Sequence, residues 1–248
     1  MDRSALCAVG VMAKAPRPGF AKTRLCPPLH PAQAAALSAA FLRDITENLA
    51  LAARDAPVHG CVAYAPAGAE DLFDGHLAPD TALLLADGTP PMPPDVQGFG
   101  RCLLHAVQAM LAAGFAAACV LNSDSPTLPT EVLRLAARLL LAPGERVVLG
   151  PADDGGYYLL GVKRAHARLF ADIAWSTSGV AAATQARADE LGLDVAVLPA
   201  WYDVDDAAAL ARLVAGDAAP GLQPYPAPFT RACLARIGLY PRLDIAAQ

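Results

Sequence analysis

Short apolar runs alternate along the chain with longer stretches whose apolar residues recur at helical spacing, the pattern of a layered α/β domain with a mainly parallel sheet. Strands are predicted at Leu6–Ala13, Val58–Tyr64, Ala82–Leu85, Ala116–Leu121, Arg146–Leu149, Tyr157–Val162 and Val195–Leu198. The first helix is expected from about Pro31, a residue that suits a first turn, to about Ala53, with Leu37, Phe41, Ile45 and Leu49 on one face. A short helix is expected near Glu70–Phe73 and longer ones at Gly98–Ala113, Gly179–Leu191 and Asp206–Val214. Another starts at Thr130, expected as its cap, with Leu135 and Leu139 on the apolar face.

Polar breaks fall where these strands end. Two prolines and a glycine in Lys14-Ala15-Pro16-Arg17-Pro18-Gly19 forbid both ladder and helix. The apolar run at Ala116–Leu121 reads as a buried central strand and stops at Asn122-Ser123-Asp124-Ser125-Pro126. A proline-rich loop, Asp87–Pro94, precedes the helix at Gly98. After Ala215 the prolines Pro220, Pro224, Pro226 and Pro228 mark a change of composition. The reading is therefore a main domain over 1–215 and a Pro-rich C-terminal appendage over 216–248, packed on that domain or on the partner subunit of a homodimer.

Length and composition narrow the classes. The chain has 248 residues, 55% hydrophobic and 17% charged, enough apolar surface for a full core and too little charge for disorder or a charged coiled coil. Nineteen basic against 24 acidic side chains give a net charge of -5 with no basic stripe, so nucleic acid is not expected as a partner. The apolar runs are too short for a membrane span, and the opening residues lack the small-residue cleavage site of a secretory signal, so a cytoplasmic location is expected. The six cysteines form no C-x-x-C pair and read as small core residues. The five histidines form no H-x-x-x-H, and no serine sits in a nucleophile elbow, so metalloprotease and hydrolase chemistry has no support.

Four polar clusters at strand ends are candidates for chemistry, because open α/β sheets bind ligands there. The first holds Lys14, Arg17, Lys22 and Arg24 with Gly19 and Thr23 in one loop, a concentration of positive charge that suits several phosphate oxygens, although a solvated basic loop has the same composition. The second is Asp124 beside Ser123, a carboxylate at the end of a buried strand that suits Mg²⁺ or Mn²⁺; an Asp bonding its own turn is the plainer alternative. The third is Asp153-Asp154-Gly155-Gly156-Tyr157, where adjacent acids call for a cation or hydrogen bonds and the glycines admit a ligand; a turn between two strands would also explain the glycines. In the fourth, Asp203 and Asp205 alternate about Val204 and would share one face of an extended strand, with Asp205 a second metal ligand and Asp206 a helix cap.

These stretches, with Met12-Ala13-Lys14-Ala15-Pro16, Lys22-Thr23-Arg24-Leu25, Gly150–Tyr158, Trp175-Ser176-Thr177 and Asp203-Val204-Asp205, resemble a family of glycosyltransferase-A-like proteins related to the molybdenum-cofactor and phospholactate guanylyltransferases. The resemblance spans about residues 6–214. It implies a three-layer α/β/α nucleotide-diphospho-sugar transferase fold of the GT-A, Rossmann-like type, a first loop that binds nucleotide phosphates, and a divalent metal on Asp124. Asn122 stands where the family has Gly. The stretch Gln97-Gly98-Phe99-Gly100-Arg101-Cys102 keeps the family's Gln97, glycines and Arg101 but lacks an acidic residue and Met.

The leading expectation is a Mg²⁺-dependent nucleotidyltransferase joining an NTP to a phosphorylated small molecule, with Lys22, Asp124, Asp153 and Asp154 as catalytic candidates. Lys14, Arg17, Gly19, Lys22, Thr23, Arg24, Gln97, Arg101, Ser123, Gly155, Gly156 and Tyr157 are the nucleotide-binding candidates, and Asp124 with Asp205 the metal ligands. Four cations in one loop favour a triphosphate over a diphosphate. The alternative is a glycosyltransferase with a nucleotide-diphospho-sugar donor and Asp153 or Asp154 as general base. A nucleotide-binding domain without chemistry is the second alternative.

Overall fold

The computed structural model describes residues 2–216 and 221–239. Its strands are β1 (Cys7–Lys14), β2 (Val58–Ala65), β3 (Ala82–Leu85), β4 (Ala117–Asn122), β5 (Arg146–Pro151), β6 (Tyr157–Val162) and β7 (Asp194–Val197). They form one 7-stranded sheet in the order β3-β2-β1-β4-β6-β5-β7. All neighbours pair in parallel except β6, which runs against both β4 and β5. The helices are α1 (Pro31–Ala52), α2 (Phe99–Ala112), α3 (Thr130–Leu141), α4 (Val180–Glu190), α5 (Ala207–Ala215) and α6 (Pro228–Arg236).

Burial on both faces explains the near-continuous apolar strands. In β1, Cys7, Val9, Val11 and Ala13 enter a core shared with α1 and α3, while Ala8 and Met12 face a second core built with α2 and α4. The result is the expected α/β/α sandwich. Leu37, Phe41, Ile45 and Leu49 are all buried on α1, as their spacing predicts. Predicted boundaries agree with the observed ones to within two residues. No helix among the described residues is long and apolar enough to cross a membrane.

Three local expectations are corrected. Pro129, not Thr130, holds the cap position of α3. The Thr130 hydroxyl instead donates to Asn48 Oδ1 at 2.6 Å, because Asn48 is buried on α1 and needs partners. The buried face of α3 is Val132, Leu133, Ala136, Ala137 and Leu140, with Leu135 and Leu139 only half-buried beside it; the two alanines let the helix lie close to the sheet. The segment Asp203–Asp205 joins no ladder. It runs as coil with Val204 buried, because the Val204 N–H bonds the Asp124 carbonyl at 2.8 Å rather than a strand.

Of the appendage, α6 lies against α1. Asp44, fully buried in the middle of α1, accepts from the N–H groups of Phe229 at 3.1 Å and Thr230 at 2.6 Å and so satisfies the first turn of α6. Pro220 and residues 240–248 lie outside the described residues. Cys7, Cys61, Cys119 and Cys233 are buried, and Cys26 and Cys102 half-buried.

Candidate functional site

Parallel strands deliver their following loops to one edge of the sheet. A cavity of about 500 Å³ opens at that edge, lined by Lys14 at the end of β1, Ala65 at the end of β2, Ala86 just past β3, and Ser123 and Asp124 just past β4. The loop after β1 adds Phe20, Ala21, Lys22, Thr23 and Arg24, and Asp205 reaches in from the segment after β7. The cationic and the acidic clusters therefore meet in one place.

Lys22 is the centre of that meeting. Its Nζ lies 2.7 Å from Asp124 Oδ1 and 2.9 Å from Asp205 Oδ1, and donates to the Val204 carbonyl at 2.6 Å. The Phe41 ring lies 5.3 Å below the ammonium. Only 6% of the Lys22 side chain is exposed, against 29% for Asp124 and 40% for Asp205. Burial alone would pull the lysine down, but the two carboxylates outweigh it and hold the pKa above the usual value, so the group stays charged. Burial works against the Asp205 carboxylate as well, yet Lys22 brings its pKa below normal. Burial pushes Asp124 up, with Lys22 opposing and Asp205 adding to the rise.

The backbone around these groups is fixed by local bonds. Lys22 itself is left-handed at φ 51°, and the helical turn Thr23–Leu25 follows it. Asn122 Oδ1 accepts from the Asp124 N–H at 3.4 Å, and the Ser123 hydroxyl donates to Asp124 Oδ1 at 3.2 Å. Ser125 donates to the Tyr202 carbonyl at 3.0 Å, tying the segment before Asp203 to the end of β4. Asp206 caps α5 through the Ala209 N–H at 2.8 Å, as expected from its position.

Two carboxylates converging on a single cation, with a hydroxyl beside one of them, are a hard oxygen donor set that fits a magnesium-like ion whose other ligands are phosphates and water. Among the described residues no group of three or more His, Cys, Asp or Glu converges on one point.

The remaining candidates take other positions. Arg17 stacks on Phe20 at 4.7 Å, and neither it nor Gly19 lines the cavity. Gln97 Nε2 donates to the Pro94 carbonyl at 3.1 Å. The Arg101 guanidinium donates to the carbonyls of Gly88, at 2.8 and 3.1 Å, and Pro90, at 3.2 Å, and so pins the proline-rich loop. Asp153 is paired with Arg212 at 2.6 Å, and Asp154 accepts from the Gly156 N–H at 2.8 Å, the arrangement of a turn joining β5 to β6. Gly155 sits at φ +89°, and a Cβ there would lie 2.1 Å from the Ser178 carbonyl oxygen. The Tyr157 hydroxyl is buried without a partner, and burial pushes its pKa up. None of Gln97, Arg101, Asp153, Asp154, Gly155, Gly156 or Tyr157 lines the cavity.

Several lining residues were not singled out from the sequence: Phe20, Ser38, Phe99, Cys102 and Ser176. Ser176 falls inside a stretch that carried the resemblance, Phe99 and Cys102 inside the Gln97–Cys102 stretch that departs from the family's pattern, and for Phe20 an apolar ring amid a polar loop was the signal available. Asp203, named in the fourth cluster, does not line the cavity. Burial, then the nearby Asp154 and Asp205, raise its pKa to about 6.

The sheet order, the cation loop after β1 and the aspartates past β4 and β7 define a GT-A-like α/β domain, the fold of nucleotidyl- and glycosyltransferases. The chain belongs to the family of uncharacterized proteins conserved in bacteria known as DUF2064, which matches residues 48–177, just over half its length. That match contains Asp124, Asp153 and Asp154 but neither the cationic loop nor Asp205. A protein from Desulfovibrio desulfuricans G20, provisionally assigned as a nucleotide-diphospho-sugar transferase, is similar with a TM-score of 0.77 and 26% identity over 93% of this chain and 94% of its own. A CMP:2-keto-3-deoxy-manno-octonic acid synthetase solved with CTP shares the fold, with a TM-score of 0.51 and 12% identity over 84% of this chain and 96% of its own. No curated protein matches the chain.

Proposed function

We propose that the chain is a nucleotide-dependent transferase whose donor is a nucleotide-diphospho-sugar. The observation that carries this reading is the charge balance of the cavity. Lys14, Lys22 and Arg24 line it together with Asp124 and Asp205, three cations against two carboxylates. Before a metal binds, Lys22 is neutralised by its neighbours, and Arg17 is turned onto Phe20, so two of the loop's four cations are uncommitted. That suits a diphosphate better than a triphosphate joined to a phosphorylated acceptor, and it reverses the order favoured from the loop's composition. The likeness to the Desulfovibrio protein supports the same donor.

Lys14 and Arg24 bind the diphosphate as paired charges. Asp124 and Asp205, with the Ser123 hydroxyl, are the residues that would hold Mg²⁺ or Mn²⁺, an ion that when bound offsets charge on the leaving diphosphate. In the transfer, an acceptor oxygen forms a bond to the anomeric carbon. The bond from that carbon to the diphosphate oxygen breaks, and its electron pair leaves on the nucleoside diphosphate. The hydroxyl proton passes to water or to a carboxylate lining the cavity; Asp153 is held by Arg212 and Asp154 accepts from the Gly156 N–H, and neither lines the cavity.

Nucleotidyl transfer is the second reading, favoured by Lys22, since a divalent ion taking its place between the aspartates would release a third cation to the phosphates. The two are separated by the phosphorus-containing product. Incubation with UDP- and GDP-sugars and with NTPs, each with Mg²⁺ and a mixture of free and phosphorylated monosaccharides as acceptors and followed by phosphorus NMR, is expected to yield nucleoside diphosphate from the sugars. Pyrophosphate from an NTP, without turnover of sugars, overturns the proposal in favour of the second reading. Binding that needs no metal and gives no product means a nucleotide-binding domain without chemistry.

A further inference from the structure

The cavity has two unlike walls. Every cation that lines it, Lys14, Lys22 and Arg24, comes from β1 or the loop after it. The wall made by the start of α2 and the segment before α4 contributes Phe99, Cys102 and Ser176 and, among the described residues, no cation. The nearby Arg101 is directed onto the Gly88 and Pro90 carbonyls.

This second wall is built rather than incidental. Phe99 is 49% exposed although large and apolar, and its ring is propped edge-on by Trp175 at 5.9 Å and 89°. Ser176 stands in the left-handed region at φ 63°, a conformation that a serine keeps only where its surroundings hold it. Two glycines hold it. A Cβ on Gly100 would lie 2.8 Å from the Phe170 carbonyl and 2.9 Å from the Trp175 ring, and one on Gly155 would collide with the Ser178 carbonyl. Both flanks of the Trp175–Ser178 segment are thus seated by residues without side chains. An exposed ring face beside a hydroxyl is the chemistry that recognises a ring with apolar C–H faces and hydroxyl edges.

Charge disfavours the phosphorylated version of such a ring. A phosphate monoester brings a charge of roughly −1.5 to −2 near neutrality. On this side the lining side chains include no lysine or arginine: Lys14 acts on Cys102 from the opposite wall and is engaged by the donor diphosphate, and Arg101 is held by the Gly88 and Pro90 carbonyls, while the carboxylates of Asp124 and Asp205 line the same cavity.

We propose that Phe99 and Ser176 form the acceptor subsite and that it takes an uncharged, hydroxyl-bearing ring, a sugar or cyclitol, and not a phosphorylated small molecule. The inference rests on the donor reading above and adds the class of the acceptor. Saturation-transfer-difference NMR on the full chain tests it, with UDP, GDP and Mg²⁺ present and with glucose, myo-inositol and glucose 6-phosphate as probes. The uncharged rings are expected to receive saturation from the protein and glucose 6-phosphate not. Phe99→Ala is expected to weaken ring binding about tenfold, Phe99→Tyr to retain it, and Ser176→Ala to weaken it less, all with the nucleotide signal unchanged. Binding of glucose 6-phosphate in preference to glucose, ring binding indifferent to Phe99→Ala, or no ring binding beside a normal nucleotide signal each overturns the inference and leaves the donor reading standing. Absence of the nucleotide signal itself overturns the donor reading.

Discussion

Replacing Lys22 by methionine removes the one cation shared by Asp124 and Asp205 while keeping an unbranched apolar stem next to Phe41. Breaking a buried ion pair from one side costs about 3–5 kcal/mol, because the charge left behind loses its partner. Here the two carboxylates remain 29% and 40% exposed and can take up water, which lowers the expected loss to roughly 2–3 kcal/mol. At about 2–4 °C per kcal/mol for a chain of this size, the melting temperature should fall by about 4–12 °C. The variant also leaves two acidic groups facing one another, so Mn²⁺ should now stabilise it without any nucleotide. An ion at a hundred times its Kd returns about 2.7 kcal/mol, close to the whole loss. Scanning calorimetry of both proteins with and without millimolar Mn²⁺, supported by Mn²⁺ electron paramagnetic resonance, measures both effects. Melting unchanged by the substitution, or Mn²⁺ stabilising the native protein as much as the variant, would refute the reasoning that lysine and metal compete for one place.

Gly155→Ala should destabilise the chain by about 3 kcal/mol or more, since the new methyl meets a backbone oxygen and the residue sits at φ +89°; urea denaturation gives the value, and a change within error would mean the Trp175–Ser178 segment is not seated on this turn. Asp44→Ala strips two acceptors from the first turn of α6 and should cost about 2–3 kcal/mol, with the loss of hydrogen-exchange protection confined first to 228–236. Asp203, raised from 3.8 to about 6 chiefly by burial, binds its proton more tightly in the folded chain than in the unfolded one. Its contribution therefore favours folding at low pH and is lost as pH rises through about 6, so Asp203→Asn should gain about 1 kcal/mol near neutrality, allowing for partial exposure, and progressively less as pH falls through that value. Urea titrations across that range decide it; a gain that grows toward acid pH would be the wrong sign.

The order of strands and helices was legible because β1 and β4 are apolar on both faces and each ends at residues unable to continue a ladder. The convergence of Lys22, Asp124 and Asp205 was anticipated in outline from strand ends alone, since parallel topology carries those ends to one edge. The pairing of Lys22 with both acids was not legible, because it depends on the Val204 N–H docking on the Asp124 carbonyl, a backbone contact between segments far apart in the chain. For the same reason the roles of Arg17 and Arg101 could not be read: an arginine in a loop has the same letter whether it faces a ligand, a phenylalanine or two carbonyls. Thr130 misled for a related cause, a buried Asn48 claiming the hydroxyl that helix grammar assigns to a cap.

The reversal of β6 has a consequence for how such a protein diversifies. Because β5 and β6 form a hairpin, their connection at 152–156 returns to the cavity edge directly, with no crossover helix that must keep its packing. Insertions there can lengthen or reshape the rim while the half of the sheet from β3 to β1 keeps its register untouched. Because Gly155 of this tip seats the segment that carries Ser176, grafting the hairpin tip between relatives should shift that segment, and with it what receives the transferred group, without altering what delivers it.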